Sequence, residues 1–122
     1  MSKKILVVED NKDNSFLIDK ILKHFGYEVV IKETGGDAIE YFKDNSDIDL
    51  VLMDVTLPDI NGLDVVSQLK SDQKFSKIPF IALTGHSDQS VKIKAKEVGC
   101  SHFLEKPYEP SELTKVIEQF TN

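Results

Sequence analysis

The stretch VLMDVTLPD, residues 51–59, carries an apolar run directly into an aspartate. The run Leu50–Met53 has no polar member, which is typical of a strand covered on both faces of a sheet. It ends in Asp54, whose charge is costly to place beside a buried strand unless other groups compensate it. A second aspartate, Asp59, follows Pro58, and we interpret it as a surface turn residue. The pattern indicates that a rigid strand holds Asp54 at the edge of a sheet.

Similar short apolar runs occur at four other places, residues 5–8, 29–31, 80–83 and 103–104. Apolar residues at helical spacing follow each run; Gly26 and Gly99 end two of these segments, and Pro110 opens the last. Alternating strands and helices predict parallel strands joined by crossover helices. We therefore predict an α/β fold, a doubly wound five-stranded parallel sheet with five helices, as a single domain over residues 1–122.

Residues 90–99, SVKIKAKEVG, are ambiguous in secondary structure. Val91 and Ile93 alternate with lysines, which is strand periodicity, whereas a helix places Val91, Ala95 and Val98 on one face. We predict a helix, because the alternation of elements requires one here and Gly99 ends it. The weak apolar face indicates a marginal helix.

The composition limits the partners of this chain. It has 122 residues, a net charge of −6, and no apolar run near the roughly 18–20 residues of a membrane span. An acidic chain lacks the basic face that nucleic acids and anionic membranes attract, so we expect neither partner. Cys100 is the single cysteine, which excludes an internal disulfide, and we predict a small packed hydrophobe. No signal-peptide pattern precedes the first run, which favours a cytoplasmic location.

Polar residues follow four of the predicted strands: Glu9 and Asp10, Asp54, Thr84 and Gly85, and Lys106 and Pro107. The carboxyl ends of parallel strands meet at one edge of the sheet, where such folds bind ligands. Three carboxylates there repel one another unless a cation neutralises them, and oxygen ligands suit Mg²⁺. The absence of HxxxH and CxxC patterns argues against zinc. A lysine and a hydroxyl at the same edge suit a phosphate group, so one carboxylate is a candidate nucleophile for an aspartyl phosphate.

Taken singly, these residues have ordinary explanations. An acidic residue after a strand is commonly a turn or capping residue, and so is a threonine such as Thr84. Asp13 and Asn14 are better interpreted as caps of the first helix than as ligands. It is the combination on four strands that indicates a site, with Asp54 as its most rigidly held member.

The chain resembles the receiver domains of response regulators, of the CheY-like kind. The resemblance rests on four motifs in order: KILVVEDN, DVTLPDINGLD, PFIALTG and FLEKP. It implies five parallel strands in the order 2-1-3-4-5 and phosphoryl transfer from a phosphohistidine. The implied donor is a sensor histidine kinase or a histidine phosphotransfer protein. The chain is expected to catalyse only its own phosphorylation and dephosphorylation.

The resemblance also implies a role for each residue near the metal. Asp54 matches the phospho-acceptor, and Asp10 matches the acidic residue that binds Mg²⁺ directly. Glu9 matches a neighbour that acts through water. Thr56 matches the residue whose backbone carbonyl binds the metal.

A second set of matches concerns the phosphoryl group and the switch. Thr84 matches the hydroxyl that bonds the phosphoryl group, and Lys106 matches the lysine that pairs with it, with a cis bond expected at Lys106–Pro107. Phe103 matches the aromatic residue that moves with Thr84 on activation. Gly85 stands where alanine is frequent, which is expected to loosen that loop. His86 is either a solvated loop histidine or a modulator of phosphate lifetime.

We expect the output face, which docks a downstream target, to comprise the fourth helix, fifth strand and fifth helix. Ile93 and the lysines at 92, 94 and 96 are the predicted contacts; the alternative for the lysines is a solvated helix face. Three other functions remain open at this stage. They are a Mg²⁺-dependent phosphohydrolase that forms an aspartyl phosphate, a receiver domain excised from a hybrid kinase, and a docking module independent of phosphate.

Overall fold

The computed structural model describes residues 2–85 and 89–121. Within these ranges the strands are β1 (Lys4–Val8), β2 (Glu28–Lys32), β3 (Leu50–Asp54), β4 (Phe80–Thr84) and β5 (His102–Glu105). The helices are α1 (Lys12–His24), α2 (Gly35–Asp44), α3 (Gly62–Lys70), α4 (Gln89–Val98) and α5 (Pro110–Thr121). A short 3-10 helix, Gln73–Phe75, lies between α3 and β4. Strands and helices alternate as predicted, and α5 begins at Pro110.

The strands form one parallel sheet in the order β2-β1-β3-β4-β5, which confirms the predicted fold and strand order. Val8 of β1 lies opposite Met53 of β3, and Asp54 lies opposite Leu83 of β4. The chain leaves β1 toward one edge and returns to β3 beside it, so the order reverses between β1 and β3. In open α/β sheets the crevice beyond such a reversal is the usual binding site.

The central strand β3 is buried along its whole length. Successive side chains of a strand point to opposite faces. Leu50 and Leu52 pack in the cluster formed with α1 and α5, whereas Val51 and Met53 pack in the cluster formed with α2 and α3. Because both faces are covered, β3 is a rigid support for Asp54 at its end.

The helix boundaries follow local signals in the sequence. Asn11, Thr34 and Asn61 cap α1, α2 and α3, and each side chain accepts a hydrogen bond from a backbone N–H of the first turn. Gly26, after α1, and Gly99, after α4, have φ values of 89° and 106°, a region that favours glycine. The two predicted glycine stops are therefore correct.

Residues 89–98 form helix α4, so the prediction of a helix rather than a strand is confirmed. Within α4 as the structure describes it, Ala95 is the one buried residue, while Val91 and Val98 are partly buried. Ile93 lies off that face and is 50% exposed. This helix has a thin apolar contact with the rest of the fold.

Cys100 is partly buried against the α3 and α4 side of the sheet. Burial raises the pKa of its thiol to about 12, so the group stays protonated at neutral pH and behaves as a packed hydrophobe. Among the helices of the described ranges, none has the length and apolar character needed to cross a membrane.

Candidate functional site

Three carboxylates converge where β1 and β3 end. Oxygen atoms of Glu9, Asp10 and Asp54 all lie within 4.8 Å of one another. Glu9 and Asp54 are 1% and 4% exposed, whereas Asp10 is exposed. The convergence follows from the pairing of β1 with β3, which brings the residues after Val8 next to the end of β3. Several carboxylate oxygens around one point form the donor set that Mg²⁺ accepts, so the residues fit this ion.

Lys106 reaches the carboxylates from the segment between β5 and α5. Its Nζ lies 3.0 Å from Glu9 Oε1 and 2.9 Å from Asp54 Oδ2. Its backbone N–H donates to the carbonyl of Thr84 at 2.7 Å, which fixes the segment to β4. Burial acts to lower the pKa of Lys106, but the bonds and charges of Asp54 and Glu9 outweigh it and the pKa is raised. Lys106 therefore stays protonated as the counter-charge of this site.

Glu9 has the most constrained carboxylate of the three. Burial, and next the neighbouring Asp54, raise its pKa, while Lys106 acts in the opposite direction. Two more donors hold it: Asn14 Nδ2 lies 3.3 Å from Oε1, and the Asn11 backbone N–H lies 3.3 Å from Oε2. The prediction that the side chain of Asn14 caps α1 is therefore wrong. Asn11 is the cap, and its side chain accepts from the backbone N–H of Asn14. The side-chain amide of Asn14 does not take part in capping and contacts Glu9 instead.

Thr84, Thr56 and Pro107 are also predicted site residues, and each lies at or just after the end of a strand. Thr84 is buried at the end of β4 and lies opposite Glu105 in the sheet. The backbone N–H of Thr56 donates to Asp54 Oδ1 at 3.0 Å, so this residue begins its loop in contact with Asp54. The Lys106–Pro107 peptide bond is cis, as the resemblance implies.

Phe103 lies on the side of β5 that faces α4, away from the carboxylates. Its ring is partly buried against a cluster that includes Ala82 and Ala95. Lys92 Nζ lies 5.3 Å from the ring centroid and 2.7 Å from Glu105 Oε1. Local sequence reasoning missed this contact, because the three residues come from two elements.

Two residues near β4 remain to be placed. A Cβ added at Gly85 would meet nothing within 4 Å, so no steric contact requires glycine there. His86 lies outside the described residues.

Asp59 is an exposed residue in a bend of the loop after Pro58, which confirms the predicted surface turn residue. Its carboxylate also makes a contact that was not predicted, because it accepts hydrogen bonds from the backbone N–H groups of Gly35 and Gly36, both at 2.9 Å. These two glycines begin α2. The contact spans 24 and 23 residues of sequence, which no local pattern reveals.

Two grooves lie on the surface of the domain. One, of about 450 Å³, lies between α1 and α5 and is lined mainly by apolar side chains, with Lys106 at its margin. The other, of about 490 Å³, lies between α4 and β5 and includes Lys92, Ile93 and Phe103. Lys106 lines the first groove and also contacts the carboxylate cluster, and the second groove contains the predicted switch residue.

Comparison with known proteins identifies the family. Residues 5–118 match the family model of the response regulator receiver domain. The chain belongs to this family. It is 30% identical over 120 residues to the polar-differentiation response regulator DivK of Brucella ovis, covering 98% of this chain and 97% of that one. It is also 34% identical over 116 residues to the chemotaxis protein CheY1 of Helicobacter pylori, covering 94% of each.

Solved structures agree with this assignment. The chemotaxis response regulator CheY4 of Vibrio cholerae has a TM-score of 0.92 at 25% identity, with 98% of this chain and 99% of that one covered. The receiver domain of the sensor histidine kinase PA1611 of Pseudomonas aeruginosa has a TM-score of 0.90 at 27% identity, with 99% and 98% covered. That structure contains a magnesium ion in its active-site cleft.

The family determines the general function. Receiver domains serve in two-component signalling, so this chain is a phosphorylation-activated signalling module and not a metabolic enzyme. The assignment leaves the phosphohydrolase alternative without support.

Proposed function

We propose that Asp54 accepts a phosphoryl group from a phosphohistidine of a sensor histidine kinase or histidine phosphotransfer protein in the cytoplasm. The observation that carries this proposal is the position of Lys106 Nζ, which contacts both Asp54 and Glu9 within a cluster of three carboxylates. A half-buried lysine and the Mg²⁺ ion that a set of hard oxygen ligands would hold provide the positive charge that a phosphoryl group requires. Asp54 is the carboxylate that ends the rigid central strand.

The transfer is a displacement at phosphorus. One carboxylate oxygen of Asp54 attacks, the phosphorus–nitrogen bond of the donor breaks, and its electron pair returns to the imidazole. The metal site consists of Asp10, Asp54, the backbone carbonyl of Thr56 and, through water, Glu9. When bound there, Mg²⁺ supplies positive charge for the phosphoryl oxygens. The magnesium ion in the related PA1611 receiver domain supports this assignment.

Lys106 acts before and after the transfer. Before it, the ammonium group offsets the charge of Glu9 and Asp54, which would otherwise repel each other in a buried site. Afterwards Nζ pairs with the phosphoryl oxygens, because the Asp54 carboxylate has become an acyl phosphate and its charge now lies on the phosphoryl group. We propose that the Thr84 hydroxyl bonds another phosphoryl oxygen from the end of β4. The same residues also serve the later hydrolysis of the acyl phosphate, so the chain catalyses only its own modification.

Activation then follows from the movement of Thr84 toward the phosphate. This movement vacates space near β4 that the ring of Phe103 fills, which changes the groove between α4 and β5. Driving an equilibrium from 1:99 to 99:1 requires about 5.5 kcal/mol of differential binding. The contacts of a phosphoryl dianion with a lysine, a hydroxyl and a metal ion supply that energy.

The output face comprises α4, β5 and α5. Ile93 is half exposed beside the groove that contains Phe103, so a target here contacts both an apolar side chain and the switch residue. Lys92 and Lys94 are not free charges in this face, because they pair with Glu105 and Asp64 at 2.7 and 3.2 Å. A target that binds these lysines must therefore compete with carboxylates of the domain itself.

The donor approaches from a different side. Phe16 and Leu17 of α1 are 59% and 56% exposed, and Leu17 lines the apolar groove that reaches Lys106. Exposed apolar residues beside a groove that reaches Lys106 suit a protein donor, which must place its phosphohistidine beside Asp54. We propose that the kinase or phosphotransfer protein docks on this groove.

Incubation with Mg²⁺ and acetyl phosphate tests the chemistry. We expect intact-mass spectrometry to show one added phosphoryl group, which chelation of the metal prevents. Asp54→Asn removes the nucleophile and is expected to abolish the modification, a loss of at least about a hundredfold in rate. Asp64→Asn, which neutralises an exposed aspartate on α3, is the matched control and is expected to leave phosphorylation unchanged. Equal labelling of the Asp54→Asn protein would refute the assignment of the acceptor.

A further inference from the structure

The loop of residues 55–61 connects the phospho-acceptor to α3 and is also tied to α2. At its tip, Asp59 accepts one hydrogen bond at each carboxylate oxygen, from Gly35 N–H to Oδ1 and from Gly36 N–H to Oδ2, both 2.9 Å. These N–H groups begin a helix and have no partner within it. The bonds from Gly36 and Gly35 hold the pKa of Asp59 below its ordinary value, so the carboxylate is ionised at neutral pH.

The two glycines allow α2 to approach the loop this closely. A Cβ at Gly35 would lie 2.8 Å from Val65 Cγ2 on α3, and one at Gly36 would lie 3.2 Å from Asp59 Oδ2. The start of α2 has its own cap as well, because the Thr34 hydroxyl accepts from the backbone N–H of Asp37 at 3.0 Å. Asp59 is therefore an additional contact from a separate segment, and its bonds constrain the loop as much as the helix.

A hydrogen bond next to Asp54 joins the two ends of the same loop and closes its base. The Gly62 N–H donates to the carbonyl of Val55 at 2.8 Å, and a Cβ at Gly62 would collide with the carbonyl oxygen of Asp54. Thr56 follows directly, with its N–H bonded to Asp54 Oδ1. Thr56 thus lies between a closed base and a tip that the Asp59 contact holds in place.

We infer that Asp59 is a positioning residue for the metal site: its contact with α2 holds the loop so that the Thr56 carbonyl is presented to Mg²⁺. The inference rests on the proposed function, in which that carbonyl is a ligand. Mg²⁺ demands nearly ideal octahedral geometry, so a ligand on a loop with more conformations binds it less well. Without the contact, metal binding must also order the loop, and the entropy lost weakens the affinity.

Titration of the protein with Mg²⁺, followed by NMR of backbone amides, tests this role. We expect Asp59→Ala to lower the Mg²⁺ affinity about three- to tenfold, less than loss of a residue that contacts a metal ligand directly. Asp59→Asn retains one acceptor oxygen and is expected to show a smaller loss. With acetyl phosphate as donor, the Mg²⁺ concentration at half-maximal rate is expected to rise, while the rate at saturating Mg²⁺ stays close to that of the wild type.

Two controls separate positioning from a general loss of stability. Asp37→Asn removes a negative charge from the same helix start, and Thr34→Ala removes the helix's own cap, but both keep the Asp59 contact. Thr34→Ala is expected to lower the Tm and to keep the Mg²⁺ affinity. If Asp59→Ala binds Mg²⁺ as the wild type does, or if Thr34→Ala loses as much affinity, the inference is overturned. Failure of the wild-type protein to bind Mg²⁺ would instead refute the metal assignment of the proposed function.

Discussion

The end of β3 and the surface between α4 and β5 differ in how firmly the fold holds them. All residues of β3 are buried, and Asp54 is reached by both Lys106 and the backbone of Thr56. On the other surface, α4 buries Ala95 and leaves Ile93 half exposed. Phosphoryl transfer requires precise placement, whereas a switch requires two arrangements of similar energy. The carboxylate cluster therefore lies at the end of a fully buried strand, whereas the proposed output face includes a helix with few apolar contacts.

The largest expected effect comes from truncating an apolar side chain in β3, and we compare it with the same kind of truncation in α4. Leu52→Ala removes a fully buried side chain from β3 and is expected to cost about 3 kcal/mol of unfolding free energy. Ile93→Ala on α4 is expected to change it by less than about 0.5 kcal/mol, because that side chain is half exposed. Urea denaturation measures both. Similar losses for the two variants would remove the distinction between a rigid and a thinly packed region.

A smaller effect is expected from Glu9, whose buried carboxylate lies beside the end of β3. The pKa of Glu9 is raised above its ordinary value of 4.5, so the folded state binds its proton more tightly than the unfolded chain does. Stability from this group is therefore present at low pH and is lost as pH rises from about 4.5 through the folded-state pKa.

The substitution Glu9→Gln removes the ionisable group, and with it the loss of stability that occurs as the pH rises. In the absence of Mg²⁺ the variant is expected to be more stable than the wild type at pH 7 and to have the higher Tm. The advantage should shrink as the pH falls toward 4.5. Thermal unfolding at several pH values checks this, and a difference in Tm that does not change with pH would contradict it.

The smallest effect concerns the groove between α4 and β5, where the proposed switch residue Phe103 lies. Lys92 pairs with Glu105 and lies over the Phe103 ring, so it holds the ring in the groove that it occupies in this structure. If phosphorylation draws the ring inward, Lys92→Met is expected to favour the active state. The affinity for beryllofluoride, a phosphoryl mimic, should then rise about two- to fivefold.

Lys94→Met is the matched control, since it removes the same charge from α4. Lys94 pairs with Asp64 on α3, away from the Phe103 ring, and its loss is expected to leave the affinity unchanged. Fluorescence or NMR titration with beryllofluoride and Mg²⁺ measures both variants. An equal gain in the two would point to net charge and not to the contact with Phe103.

Much of the fold was predictable because its signals are local. The apolar run that ends in Asp54, the glycines after α1 and α4, and Pro110 at the start of α5 each specify a boundary within a few residues. The convergence of Glu9, Asp10 and Asp54 was predictable for a different reason, since parallel strands end at a common edge. In contrast, the contact of the Asn14 side chain with Glu9 and that of Asp59 with the start of α2 were not predicted, because local patterns indicate only caps and turns.

The sequence by itself determined which residues form strands and helices, and which acidic residues reach the carboxyl edge of the sheet. Periodicity and strand direction carry that information, because both depend on neighbours along the chain. Only the tertiary structure decided that Lys106 bridges Glu9 and Asp54, that Lys92 covers Phe103, and that Asp59 binds the start of α2. Such contacts depend on the packing of helices against the sheet, which sets side-chain distances that no short pattern encodes.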